Sequence, residues 1–120
     1  MPRILWEEKY SAAVGSPLRD HILEKLRVTV AEEITRFDPT FILDPTQHIV
    51  GDIVTRHPNA FGDKKVMITI RGMHKPLRVK HSEKIGKAIR ARVDPLFFDD
   101  LTWSLSLCWD EYYYNDGTDG

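Results

Sequence analysis

Apolar residues recur every four positions in one stretch of the chain and every two in another. Leu18, Ile22, Leu26, Val30 and Ile34, with Leu23 and Phe37 beside them, mark the stripe of an amphipathic helix. Ser16-Pro17 predicts its start: serine can accept from free backbone N–H groups, and proline suits the first helical position. Asp20 and Glu24 then fall toward the positive end of the helix dipole. Asp38-Pro39 stops the helix, because the residue before proline avoids the helical region. Farther on, Trp103, Leu105, Leu107 and Trp109 alternate with Thr102, Ser104, Ser106 and Cys108. That is a strand over 102–112 with one apolar face.

Shorter elements fill the rest. Residues 3–8 read as a first strand, with Ile4 and Trp6 on one face and Leu5 on the other. The stretch 9–15 has no period. Residues 38–47 carry Pro39 and Pro45 around Phe41-Ile42-Leu43, which predicts an ordered connection packed on the sheet. The β-branched run 48–57 predicts a second strand and 65–71 a third. The turn signals Pro58-Asn59 and Gly62-Asp63 between them suit an antiparallel hairpin. A loop with Pro76 follows. Ser82 then caps a second helix marked by Ile85, Ala88, Ile89, Arg92 and Val93, and Asp94-Pro95 ends or kinks it. Gly86 weakens that helix by about 1 kcal/mol relative to alanine. The order is β-α-β-β-α-β, an α+β chain whose four-stranded sheet carries two helices on one face. Residues 1–114 form one domain and 115–120 a polar tail.

Composition narrows the function. The 120 residues suffice for a single core, and the one cysteine, Cys108, excludes an intramolecular disulfide. No apolar run reaches transmembrane length. A soluble cytoplasmic protein is the expectation. The net charge of −1 hides blocks: residues 1–55 carry −3, 56–92 carry +9, and 93–120 carry −7. The basic block could face an acidic small molecule, a nucleic acid, or the chain's own acidic last third. His48, His57, His74 and His81, with Asp52 and Asp63, lack metal-ligand spacing, so no metal is expected. The glycines are scattered and form no phosphate loop. The third strand carries no aromatic residue for base stacking, which argues against nucleic acid. Tyr112-Tyr113-Tyr114 suits an interface, and an extended C-terminal segment could pair with a neighbouring subunit.

The first residues carry the candidate chemistry. If Met1 is removed, Pro2 becomes a secondary amine at the start of a strand, where proline is tolerated. An α-amino group titrates at about 7.7–8.0, and nearby cations or desolvation bring it toward neutrality, where it can act as a general base. If Met1 stays, the same nitrogen is a tertiary amide without basicity. Many chains begin Met-Pro with no chemistry attached.

The Met-Pro start into a strand, the two βαβ halves, the run 51–57 followed by 66–70, and Leu105-Ser106-Leu107 together resemble the tautomerase superfamily. The nearest likeness is its 5-carboxymethyl-2-hydroxymuconate isomerase branch. The resemblance implies a cofactor-independent isomerase acting on a small unsaturated keto acid, with Pro2 as the base. It implies arginines that hold substrate carboxylates, first Arg56 and then Arg71, by bidentate pairing. It also implies a homo-oligomer, a trimer or hexamer. Two alternatives stay open. One is a non-catalytic oligomeric protein on the same scaffold; the other is a ferredoxin-like module binding anions or nucleic acid.

Overall fold

The computed structural model describes residues 2–9, 14–57, 62–73, 78–97, 101–109 and 112–116, without the side chains of 78–80, 112, 113, 115 and 116. In chain order the elements are β1 (Arg3–Lys9), α1 (Ser16–Phe37), β2 (Val50–Arg56), β3 (Val66–Arg71), α2 (Arg78–Val93), a 3-10 turn (Asp94–Leu96), β4 (Trp103–Trp109) and β5 (Tyr112–Asp116). The sheet order is β2-β1-β3-β4-β5. β1 pairs parallel with β2 on one side and antiparallel with β3 on the other. β3 pairs parallel with β4, and β4 antiparallel with β5.

The expected β-α-β-β-α-β core is therefore present, as an α+β mixed sheet with two helices. Its middle is built differently from the expectation. β2 and β3 form no hairpin, because β1 lies between them. Burial explains the choice. β2 is half polar and largely exposed, which suits an edge. β3 carries Val66, Ile68 and Ile70, all fully buried, and needs a neighbour on each side. Each βαβ half closes on an adjacent parallel strand, so no third strand splits it. That separates this sheet from the ferredoxin-like arrangement, the third sequence reading.

One face of the sheet packs under both helices. Ile4, Trp6, Ile68, Ile70, Leu105 and Leu107 from the strands meet Ile22, Leu26, Val30 and Ile34 of α1 and Ile85, Ile89 and Val93 of α2 in one cluster. Trp103 and Trp109 lie in this core, as their period-two spacing predicts. Three rings stack through it: Trp6 on Phe97 at 5.9 Å and Phe97 on Trp103 at 4.7 Å between centroids. Among the described residues no helix covers the other face. Arg3, Leu5 and Glu7 of β1 alternate onto it, with their register partners Val50, Asp52, Val54, Thr69 and Met67. Cys108 belongs to this helix-free face and is buried.

Several boundaries differ from expectation. α1 begins at Ser16, so Gly15 is its N-cap, no side chain caps it, and no acidic residue stands in its first turn. α2 begins at Arg78, which puts Ser82 inside the helix and buries it. Arg78 and Lys80 give no capping signal, so the sequence hides this first turn. The connection after α1 packs Leu43 into the core but leaves Ile42 75% exposed.

The final strand divides. β4 ends at Trp109, and Tyr112 returns beside it as β5, a fifth strand running two residues past the expected domain boundary. Its described partner is β4 of the same chain, and it stands at the edge of the sheet. Tyr114 lies against α2 at Gly86, where an added Cβ would stand 2.1 Å from the ring. The glycine that weakens the helix by sequence is thus the seat for an aromatic ring. The turns expected at Pro58-Asn59 and around Pro76 and the tail end 117–120 lie outside the described residues.

Among the described residues the basic block is met in part from the first half of the chain. Arg56 pairs with Glu7 at 2.7 Å, and Arg92 pairs with Glu33 at 3.1 Å and with Glu32. The Glu32 and Glu33 contacts raise the already high pKa of Arg92, against burial. They tie α2 to α1. Among the described residues the acidic last third contributes Asp94, 3.9 Å from Arg90.

Candidate active site

Pro2 is buried and stands immediately before β1, a central strand flanked on both edges. Its position is therefore fixed by the sheet, unlike that of a frayed terminus. Continuing the register by one residue brings Pro2 level with Ile49, which is buried, and with Gly72. Gly72 has φ +67°, a conformation that favours glycine. It turns the chain away at the end of β3, after which the Met73 N–H donates to the Cys108 carbonyl. Met1 and His74 lie outside the described residues.

Arg3 and Arg71 face each other in register across β1 and β3 at this end of the sheet. Both alternate onto the helix-free face and both are exposed. The Arg3 Nε donates to Asp52 Oδ2 at 3.1 Å. Arg71 makes no ion pair or hydrogen bond with the described residues, so its five N–H donors are open to an added anion.

Arg56, the first choice by sequence, stands elsewhere. Its register partner is Lys9, at the far end of β1. Six residues at about 3.3 Å each put it about 20 Å from the Pro2 end. Its Nε donates to Glu7 Oε2 at 2.7 Å. Within one chain, Pro2, Arg3 and Arg71 are brought together and Arg56 is not. The sequence could not decide this, because the hairpin reading left the direction of β3 relative to β1 open.

Sequence reading also missed a buried polar group. Glu8 is 7% exposed, and its Oε1 accepts from the Trp6 indole N–H at 3.1 Å and from Arg19 Nη1 at 3.0 Å. A carboxylate on the apolar face of β1 needs such partners, because an unpaired buried charge is costly. The alternation Ile4, Trp6, Glu8 was the available signal. Lys9 is buried too, and its Nζ donates to the Gly62 carbonyl at 2.5 Å.

The arrangement is a tautomerase-like fold, a mixed α+β sheet made of two βαβ halves. Among solved structures the chain is similar to a macrophage migration inhibitory factor-like protein from Entamoeba histolytica, with 15% identity and a TM-score of 0.52 over 94% of this chain and 98% of that one. That likeness is one of fold. No protein-family model and no curated protein matches the chain.

Proposed function

We propose that this chain is a cofactor-independent isomerase or tautomerase that moves a proton within a small unsaturated keto acid, in the manner of 5-carboxymethyl-2-hydroxymuconate isomerase. One observation carries the reading: Pro2 is buried at the head of a central strand in a tautomerase-type sheet, with Arg71 at the same end. With Met1 removed, the Pro2 amine takes a proton from the dienol hydroxyl and returns it to a distant carbon of the same conjugated system. The amine ends as it began. Burial and the cations Arg3 and Arg71 disfavour its protonated form, which holds it as a base near neutral pH. Arg71 pairs with a substrate carboxylate and steadies charge developing on the enolate.

The same reading makes the protein a cytoplasmic homotrimer whose helix-free faces are covered by neighbouring copies. Val50, 48% exposed on that face, and the half-buried Leu5, Val54 and Met67 support this. Arg56 would join a Pro2 site only from a neighbouring chain, after releasing Glu7. Light scattering that finds only monomer at micromolar concentration would remove this part of the proposal.

The test is turnover of a 2-hydroxydienoate by purified protein with a free Pro2. Removing a general base lowers kcat by about 10²–10⁴-fold, which is expected for Pro2→Ala. Arg71→Ala is expected to raise KM by about 10–100-fold, the value of a charge-assisted pair. Unchanged turnover by Pro2→Ala refutes the mechanism. A non-catalytic protein on the same scaffold is the second reading, favoured by the fact that Arg3 and Arg56 are already held by Asp52 and Glu7.

A further inference from the structure

The turn between α1 and β2 is tied to itself by a histidine. Leu43, 8% exposed, and Ile49, 2% exposed, anchor the chain on either side of it. Between them the Asp44 N–H donates to His48 Nδ1 at 2.8 Å, and the His48 N–H donates to the Asp44 carbonyl at 2.8 Å. The same two residues are thus joined once through a ring and once through the backbone. The ring bond fixes a protonation state. An imidazole nitrogen that accepts carries no proton, so His48 is neutral, with its hydrogen on Nε2. A proton added at Nδ1 would set two donors against each other.

Histidine is the side chain whose ordinary titration falls between about pH 5 and 8. On the turn itself the Asp44 carboxylate faces the ring. Its pKa is lowered by the Thr46 hydroxyl and backbone donors first, then by the Gln47 N–H, and also by charge on His48. Across the turn α1 presents Glu32 and Arg36, which are held by Arg92 and Glu33. From the sheet, Arg3 stands level with Val50 and is held by Asp52. Among the described residues no ion pair reaches His48.

We propose that His48 is a pH-operated latch at the Pro2 end of the sheet. The neutral ring is latched on the Asp44 N–H; the imidazolium lets go and swings toward solvent. Asp44 Oδ1 goes on holding Thr46 and Gln47, so the turn itself stays folded. Ile49 follows directly and stands level with Pro2, so the ring is carried one residue from that level. Acid thus adds an unpaired cation to the end of the sheet where Arg3 and Arg71 stand, which favours an anionic substrate there. The latch rests on the two bonds; its bearing on catalysis rests on the isomerase reading.

The experiment is an NMR titration of the folded chain from about pH 8 to about pH 5, reading the imidazole nitrogens and the Asp44 amide. Neutral His48 is expected as the Nε2–H tautomer, and the Asp44 amide proton should move upfield with the same midpoint as the His48 ring. Its protection from exchange, relative to an unstructured chain at each pH, should fall at least fivefold. That step lies above the titration of Asp44, whose pKa is lowered. His48→Asn keeps an acceptor oxygen near the place of Nδ1 that no proton removes in this range, and it should abolish the step. The tautomer of the unchanged chain needs no variant, so a misfolded substitution leaves the test intact. An Nδ1–H tautomer in the neutral ring, an Asp44 amide that ignores the His48 titration, or the same step in His48→Asn overturns the proposal. Turnover plays no part in the readout, so a chain that isomerises nothing sinks the isomerase reading and leaves the latch to be judged on its own.

Discussion

Replacing Gly86 with alanine tests the docking of β5 by the sign of one free-energy change. Gly86 lies inside α2, and at an unobstructed helix position the replacement stabilises by about 1 kcal/mol. Here the new Cβ would stand 2.1 Å from Cε1, 2.6 Å from Cδ1 and 3.1 Å from Cζ of the Tyr114 ring. The contact is with the body of a ring set by β5, not with the end of a long flexible chain. Either the ring and its strand move or α2 shifts, and overpacking of that kind costs about 1–3 kcal/mol. The net effect of Gly86→Ala is therefore a loss of up to about 2 kcal/mol, or at best no gain. Removing the ring as well should reverse the sign of the glycine substitution. In a Tyr114→Ala background, Gly86→Ala should stabilise by the full helix term of about 1 kcal/mol. Urea unfolding of the four proteins in this cycle gives the coupling, expected at about 1–3 kcal/mol. If Gly86→Ala stabilises the otherwise unchanged protein by about 1 kcal/mol, Tyr114 is not seated on α2 and the placement of β5 is refuted.

Other substitutions test the buried polar groups. Glu8→Ala leaves the Trp6 indole N–H and Arg19 without their acceptor and should destabilise by about 3 kcal/mol in urea unfolding; a loss under about 1 would mean the group is solvated. Glu33→Ala removes a carboxylate 5% exposed that faces Arg92 across the helix pair. It should cost about 2–4 kcal/mol, and Arg92→Met in the same background should recover part of it. The Thr46 side-chain and backbone donors lower the pKa of Asp44. The turn they hold should keep its order above the ordinary carboxylate range and lose it as pH falls through that lowered pKa. Amide exchange at Thr46 and Gln47 that stays unchanged through this acid range would contradict the assignment.

The long α1 stripe and the alternation along 103–109 carried the fold, because both periods persist over many residues and both turn one face to the core, with only Leu18 and Phe37 at the ends of the α1 stripe left partly exposed. Strand order was not legible. Neighbours across a sheet are chosen by burial summed over whole strands, and β2 looks as β-branched as β3 while exposing most of its length. The C-terminal reversal was hidden for a similar reason. Tyr112, Tyr113 and Tyr114 continue the aromatic character of β4, and the charged pair Asp110-Glu111 is too short a signal to mark the break after Trp109 as a reversal. At the candidate site, Pro2 was nominated from position alone, and its burial just before β1 is what the folded chain adds. The choice of Arg71 over Arg56 at its end of the sheet needed the antiparallel register of β3 on β1, which only the folded chain supplies. The Glu8 network was partly legible, since an acid on the same alternating face as Ile4 and Trp6 demands an internal partner.

The central claim is that the Pro2 amine performs the chemistry, and amide formation at that nitrogen abolishes its basicity while leaving every side chain in place. The most direct measurement is the turnover of one 2-hydroxydienoate by two forms of the chain, one ending at a free Pro2 and one retaining Met1, each verified by intact mass. The account predicts activity in the first form and a loss of about a hundredfold or more in the second. Equal rates from the two forms would contradict it.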